Sequence, residues 1–202
     1  MRRSEFEVHD KAVFEELLAT CEYGTLSLID EDEPYGVPLN FVWYEESLCF
    51  HGSKEGRKAE VFRKNAKASF SVVKALSLIP SYFSNTRSAS PATQFFISVQ
   101  ITGKIEVVED VSTKCAMLTA LMQKLQPEGG YDAIEVTNPI YTKMVEQTGL
   151  FRLMPESISI KFKAGQNLSE ERRNLVIEKL LERGEPLDLL SVKLIQEANK
   201  KA

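Results

Sequence analysis

Residues 52–58, Gly-Ser-Lys-Glu-Gly-Arg-Lys, concentrate the groups most able to do chemistry in this chain. Two glycines let the backbone turn sharply, Ser53 brings a hydroxyl, and Arg57 and Lys58 bring adjacent positive charges. An apolar, strand-like run over 48–53 leads in, and a helix to Asn65 with Val61 and Phe62 facing inward leads out. A loop opening a helix offers a phosphate group free N–H donors as well as side chains. Arginine adds a planar fork and lysine a point charge, which together suit a phosphate monoester. The spacing matches neither the nucleoside triphosphate P-loop nor the dinucleotide GxGxxG pattern. Lys54, Glu55, Arg57, Lys58 and Glu60 also describe a solvated turn of mixed charge, and residue types alone do not choose between the two.

The segment before the loop supplies a possible floor for a planar ring. From Tyr35 to Tyr44 the odd positions are large and apolar, Tyr35, Val37, Leu39, Phe41 and Trp43, while Gly36, Pro38, Asn40, Val42 and Tyr44 are mixed. That period of two predicts a strand, and Pro38 places it at an edge or a bulge with exposed main chain. A tight turn at Glu45-Glu46-Ser47 joins it to the next strand, where Cys49, His51 and Ser53 share a face. His51 can hydrogen-bond a ligand or titrate near neutrality. No second histidine or carboxylate stands beside it, so no catalytic residue is assigned. His9 precedes the first helix as a surface residue.

Other chemistries find less support. Cys21, Cys49 and Cys115 are odd in number and widely spaced, with no CxxC pair, which fits buried thiols in a reducing compartment. No spaced set of His, Cys and carboxylate points to a metal. The serines of residues 76–93 have no identifiable base, and no GxSxG elbow occurs.

The remaining elements alternate between strand and helix patterns. A helix capped by Asp10 carries Val13, Phe14, Leu17, Leu18 and Cys21, and strands are expected over 25–29, 67–73, 95–108 and 150–162. Within 95–108, Ile97, Val99, Ile101, Ile105 and Val107 alternate with polar residues, and Gly103 marks a bulge or close backbone approach. Ile158, Ile160 and Phe162 form the inward face of the last strand. Residues 76–93, with two prolines and five serines, are expected to be a long loop. Ser112 is expected to cap a helix bearing Cys115, Leu118, Leu121, Met122 and Leu125, with a shorter helix around 140–145. Two terminal helices are expected, with stripes Leu175, Ile177, Leu180, Leu181 and Leu189, Leu190, Val192, Ile195. Six or seven strands with few helices between them predict a mainly β fold, an antiparallel barrel with α additions.

Bulk properties narrow the ligand. The 202-residue chain carries net charge -4 and 43% hydrophobic residues, enough for one core-forming domain. An acidic protein has no global field for nucleic acid, so any anion site is local and a small ligand is favoured. The N-terminus turns acidic without a signal-peptide pattern, and no apolar run approaches a membrane span. No nucleic acid or membrane partner is expected, and the location is expected to be cytoplasmic.

Three stretches carry a family resemblance. YGVPLNFVWYEESLCFHGSKEGRKAEVFRKNAKASFSVV resembles the flavin-binding core of the pyridoxamine 5'-phosphate oxidase-related split-barrel family, in the branch that includes nitroimidazole-resistance proteins. PATQFFISVQITGKIEVVED resembles a later strand of that family, and GQNLSEERR a C-terminal segment of its members. The resemblance implies an antiparallel split β-barrel over residues 1–165 with a C-terminal helical extension over 166–202. It implies a homodimer with FMN at the subunit interface, and an oxidoreductase acting on a small-molecule substrate through the flavin. Val37, Pro38, Leu39, Asn40, Phe41 and Val42 would run along the flavin ring, largely through main chain. Phe50, His51, Gly52 and Ser53 would follow beside the ring and ribityl chain, and Arg57 and Lys58 would hold the phosphate. Ser98 and Gln100 would come from the second subunit. The Arg and His pattern that binds substrate in true pyridoxamine phosphate oxidases is not evident, so that reaction is not expected. The alternative is a non-catalytic module for FMN or another planar cofactor, haem or a deazaflavin.

Overall fold

The structure, a computed structural model, describes residues 3–84 and 86–200, with side chains described as far as 198. Two compact units divide the chain: residues 11–72 with 99–159, and residues 1–10 with 73–98 and 160–202. Among the described residues, no helix is long and apolar enough to cross a membrane.

In the first unit, α1 (Lys11–Thr20) buries Phe14, Leu17 and Leu18, and the Phe14 ring meets Trp43 edge-on at 4.9 Å. Strands β2 (Tyr23–Asp30) and β3 (Glu33–Asn40) pair along their whole length through a Glu31-Asp32 turn. The chain then breaks at Phe41, which is fully buried with its ring 5.0 Å from that of Phe70. Next come β4 (Val42–Tyr44) and β5 (Ser47–Ser53). Glu45 and Glu46, at φ 46° and 55°, make their two-residue turn, the left-handed pair that matches strand twist. Ser47 belongs to β5 rather than to the turn, and its hydroxyl donates to the Tyr44 carbonyl at 2.8 Å. The loop and α2 (Arg57–Lys64) follow, with Ala59, Val61 and Phe62 buried.

Three long strands, β6 (Lys67–Ile79), β7 (Thr93–Val108) and β8 (Thr148–Lys163), each contribute to both units. The sheet runs β3-β2-β6-β7-β8-β5-β4, with β1 (Glu7–Val8) added beside β8. Its two edge strands, β3 and β4, are consecutive in the chain and separated only by Phe41. A sheet whose path starts and finishes on one continuous segment is an open barrel. The eight strands exceed the expected six or seven because Phe41 divides one strand and Glu7–Val8 adds a two-residue one. Pro38 sits on an edge strand, as expected of a residue without an N–H in a sheet. At Gly103 an added Cβ would lie 1.9 Å from the Met154 carbonyl oxygen, so the close approach of β7 and β8 requires glycine there.

Several expectations need correction. Residues 76–79 are not loop: β6 continues to Ile79, and Leu76 and Ile79 are buried. Ser77 is buried with them because its hydroxyl donates to Asp188 Oδ1 at 2.6 Å and its N–H to Ser191 Oγ at 2.9 Å. The irregular connection is therefore shorter, and a 3-10 turn over Ser81–Ser84 occupies part of it. Helix α3 (Val111–Leu125) is capped by Asp110 rather than Ser112, with the carboxylate accepting the Thr113 N–H at 2.7 Å, and the shorter α4 (Pro139–Gln147) is capped by Asn138. Ile158 is exposed, unlike Ile160 and Phe162, and Val107 is exposed because the burial phase of β7 slips to Val108.

In the second unit, α5 (Glu170–Arg183) starts at the Ser169 cap and ends at left-handed Gly184. It buries Val176 and Leu180, while Leu181 is 53% exposed. In α6 (Pro186–Lys200), Asp188, Ser191, Val192 and Ile195 take the buried face and leave Leu189 67% exposed. Of the expected stripes Leu180, Val192 and Ile195 are buried, while Leu181 and Leu189 face out; in α6 the buried Asp188 and Ser191 take the place expected of Leu189. Arg183 grips Asp188 through Nε at 2.9 Å and Nη2 at 2.5 Å.

Candidate functional site

The end of β5, the loop after it and the first turn of α2 bring Phe50, His51, Gly52, Ser53, Arg57 and Lys58 together in the first unit. Glycine at 52 makes room for a neighbouring side chain. A Cβ there would stand 2.5 Å from Lys58 Nζ, so the lysine lies across a bare stretch of strand. In the β5–β8 register the partner of Gly52 is Gly149, where a Cβ would meet the Gly52 carbonyl oxygen at 2.9 Å. Lys58 Nζ lies 5.8 Å and 5.9 Å from the ring centroids of Phe50 and Phe151, over their π faces. Loss of water pushes its pKa down, and no carboxylate among the described residues acts to raise it.

Arg57 has a different role from its neighbour. Its Nε donates to Asp30 Oδ2 at 2.7 Å, its Nη2 approaches Glu33 Oε2 at 3.5 Å, and the guanidinium lies 4.5 Å over the Tyr35 ring. The acidic end of the β2–β3 hairpin therefore fixes the start of α2. The loop is shaped locally as well. Ser53 Oγ accepts the Glu55 N–H at 3.1 Å, and Gly56 adopts φ 93°, a conformation side chains resist. Arg63 Nη2 reaches back to the Lys54 carbonyl at 3.0 Å. Gly56 caps α2 without a side chain, so the first-turn N–H groups have no side-chain acceptor at their head.

His51 is exposed, with its pKa lowered first by partial desolvation and then by the charge of Lys58. It is neutral at physiological pH. Val37, Pro38, Leu39 and Asn40 lie on edge strand β3, Phe41 at the break and Val42 on β4. An edge strand leaves half its main-chain groups facing away from its neighbour. Lys124 braces the break from α3: its Nζ donates to the Phe41 carbonyl at 2.8 Å and lies 3.6 Å from the ring centroid. Burial pushes the Lys124 pKa down to about 8. Ser98 and Gln100 are on β7, which β8 separates from β5 in the sheet, so the sheet order of one chain does not set them beside the loop.

Cys49 and Cys115 are buried thiols whose pKa values burial pushes up, and Cys21 is a half-buried thiol. No group of three or more His, Cys, Asp or Glu residues able to hold a metal occurs among the described residues.

Sequence reasoning missed Asp30, Glu33 and Tyr35 as partners of Arg57, and Gly149 and Phe151 as the far wall. The acidic turn was visible, but its pairing spans 24–27 residues. A signal for the far wall did exist: Gly149-Leu-Phe mirrors Phe50-His-Gly52 in the opposite chain direction.

A phosphate group fits these residues. Lys58 is a half-buried cation without a carboxylate partner among the described residues, and the uncapped helix start lies next to it. An open antiparallel sheet with consecutive edge strands and this loop defines a split β-barrel of the flavin-binding class. The chain belongs to the pyridoxamine 5'-phosphate oxidase family, whose model matches residues 10–162. No curated protein matches it. The flavocytochrome Anf3 from Azotobacter vinelandii is 21% identical with a TM-score of 0.68, over 84% of this chain and 74% of that one. The FAD and haem binding protein from Mycobacterium smegmatis is 19% identical with a TM-score of 0.67, over 83% and 78%. A candidate 5-nitroimidazole antibiotic resistance protein from Bacteroides thetaiotaomicron is 20% identical with a TM-score of 0.62, over 77% and 85%. At these identities the likeness is one of fold.

Proposed function

We propose that the protein is an FMN-binding oxidoreductase acting on a small organic molecule, with its site completed by a second copy of the chain. The observation that carries this reading is the Lys58 ammonium, half-buried over Gly52 with no carboxylate partner among the described residues, at the head of an uncapped helix. A phosphate monoester supplies the missing negative charge. Lys58 and the first-turn N–H groups of α2 would hold it, and Ser53 would add its hydroxyl. Arg57, anchored on Asp30, would set the direction of the helix start and add charge from one side. The exposed main chain of 37–42 would orient the ring, and neutral His51 can donate or accept a hydrogen bond beside it.

Bound FMN would supply the electron or hydride transfer itself. The chain's own residues bind, orient and exclude water. Ser98 and Gln100 would enter from the second copy, which fits a site that one chain leaves open along the β3 edge. The reducing compartment implied by three thiols supports a cytoplasmic location.

Titrating the apo protein with FMN and following fluorescence quenching tests the reading. Saturable quenching at one FMN per chain supports it, with sedimentation showing a dimer. Absence of FMN binding overturns it. A second planar cofactor has one observation in its favour, because two structures of similar fold are described as a FAD and haem binding protein and a flavocytochrome. An exposed, neutral His51 is chemically competent as a haem ligand. A Soret band on adding haem that His51→Ala removes would support that reading.

A further inference from the structure

Lys124, the penultimate residue of α3, is a half-buried ammonium whose hydrogen-bond partner is main chain. Its Nζ donates to the Phe41 carbonyl at 2.8 Å and lies 3.6 Å from the centroid of the same residue's ring. That ring is fully buried, 5.0 Å from the ring of Phe70 on β6. One residue earlier, Asn40 Nδ2 donates to the Glu22 carbonyl at 3.0 Å. Residues 40 and 41 are thus held from α3, from β6 and from the residue before β2. The grip falls where β3 ends and β4 begins, and Phe41 belongs to neither strand. A peptide unit is planar, so holding the Phe41 carbonyl also fixes the direction of the Val42 N–H.

A buried carbonyl at a strand break needs a donor, but not a charged one. An amide or a hydroxyl would satisfy it without the loss of hydration that an ammonium suffers. Burial pushes the Lys124 pKa down to about 8, so keeping the charge in this place costs the folded chain stability. Cys21 and Glu22 act on it from the join of α1 and β2, and both favour its charged form. What the charge adds is strength and direction. A charge-assisted hydrogen bond is about twice as strong as a neutral one, and the face of the Phe41 ring attracts the same cation. The segment held in this way, residues 37–42, is the one assigned to the flavin ring. Main chain that is already fixed loses less entropy when it orients a ligand.

We propose that Lys124 is a positioning residue for the flavin ring: its ammonium holds the Phe41 peptide from the buried side and so sets the main chain of residues 37–42 that orients the ring. The proposal rests on the flavin reading of the site. It divides the work between two lysines, Lys58 answering to the phosphate and Lys124 to the ring. Bound flavin then favours the charged form of Lys124, and by reciprocity raises the pKa of that group.

The test follows fluorescence quenching of FMN, and of riboflavin, which lacks the phosphate, by the full chain in its apo form. At pH 7 Lys124→Met should weaken both ligands by a similar factor of at least about five, whereas Lys58→Met should weaken FMN alone. Lys124→Arg keeps a charged donor at every pH used and should restore most of the affinity. Between pH 7 and 10 the wild type should lose affinity relative to Lys124→Arg, because its ammonium gives up a proton in that window. Lys58 and His51 are common to both proteins and cancel in the ratio. NMR of lysine labelled at Cε should show FMN displacing the Lys124 titration upward. Equal affinities of wild type and Lys124→Met for both ligands overturn the proposal, and so does a ratio to Lys124→Arg that stays constant with pH. If Lys124→Met fails to fold, that ratio and the shift of the Lys124 titration still decide. A wild type that binds neither ligand removes the flavin reading itself, an outcome distinct from wild-type binding that the variants leave unchanged.

Discussion

Gly52 and Gly149 stand opposite each other in the register of β5 and β8, and Lys58 rests on the side-chain-free patch at Gly52. The position of the ammonium is thus set by the side chain that Gly52 lacks. Gly52→Ala should drive Lys58 off the strand and weaken FMN binding by about tenfold or more, with the circular dichroism spectrum unchanged. Gly149→Ala should instead cost about 1–3 kcal/mol of stability, because its Cβ meets backbone and the Phe151 ring rather than a flexible side chain. Fluorescence titration and urea unfolding separate the two effects.

Arg57 and Lys58 are neighbours in sequence with unequal expected roles. Arg57 already pairs with Asp30, so Arg57→Ala should weaken FMN less than Lys58→Met does. The double change to alanine should weaken FMN most while leaving the apo fold intact. Equal affinities for all three would remove the phosphate assignment. Lys58→Met should also raise the His51 pKa toward its ordinary value, since the lysine's charge is the second cause of its depression. Histidine NMR titration of the apo protein reads this directly.

Lys124 makes stability depend on pH on the alkaline side. Its folded pKa of about 8 lies below the ordinary 10.5, so the unfolded chain holds more protons between those values. Stability from this group therefore rises as pH increases through 8 toward 10.5. Urea unfolding at steps from pH 7 to 10 should show the wild type gaining on Lys124→Met over that window. A constant difference between the two would contradict the assignment.

Asp188 acts on the acid side. Its pKa of about 2 lies below the ordinary 3.8, first because of its hydrogen bonds to Arg183. The stability it contributes is complete above pH 4 and is lost as pH falls through about 2. Asp188→Asn should cost about 3 kcal/mol at neutral pH, because it leaves the largely buried Arg183 only the exposed Glu185 carboxylate at 3.6 Å. The same change should flatten the acid limb between pH 4 and 2 in thermal unfolding.

Much of the barrel could be read from local patterns. Ile97, Val99 and Ile101 alternate in sequence and are buried in the structure, and Gly103 marked a close approach that proved to be Met154. Pro38 announced an edge strand. These features are legible because the strand period and the special residues act within a few positions. The failures have one cause. Ser77, Asp188 and Ser191 look like surface residues until Ser77 meets partners more than a hundred positions away. That network carries strand into residues 76–79 of the expected loop and turns Leu189 of α6 outward while Val192 and Ile195 stay buried. The loop after β5 was legible as a cationic turn, but Asp30 on Arg57 depends on tertiary packing.

The break at Phe41 has a consequence for the order in which the protein assembles. On either side of it lie two local hairpins, β2–β3 and β4–β5, each able to form with short loop closure. The β5–β8 pairing joins Leu48 to Leu153, about a hundred residues apart, and must wait for most of the chain. Helix α3 brings Lys124 to the Phe41 carbonyl across 83 positions, so that bond too forms after the hairpins. The seam of the barrel is therefore begun by its nearest neighbours in sequence and locked by its most distant ones.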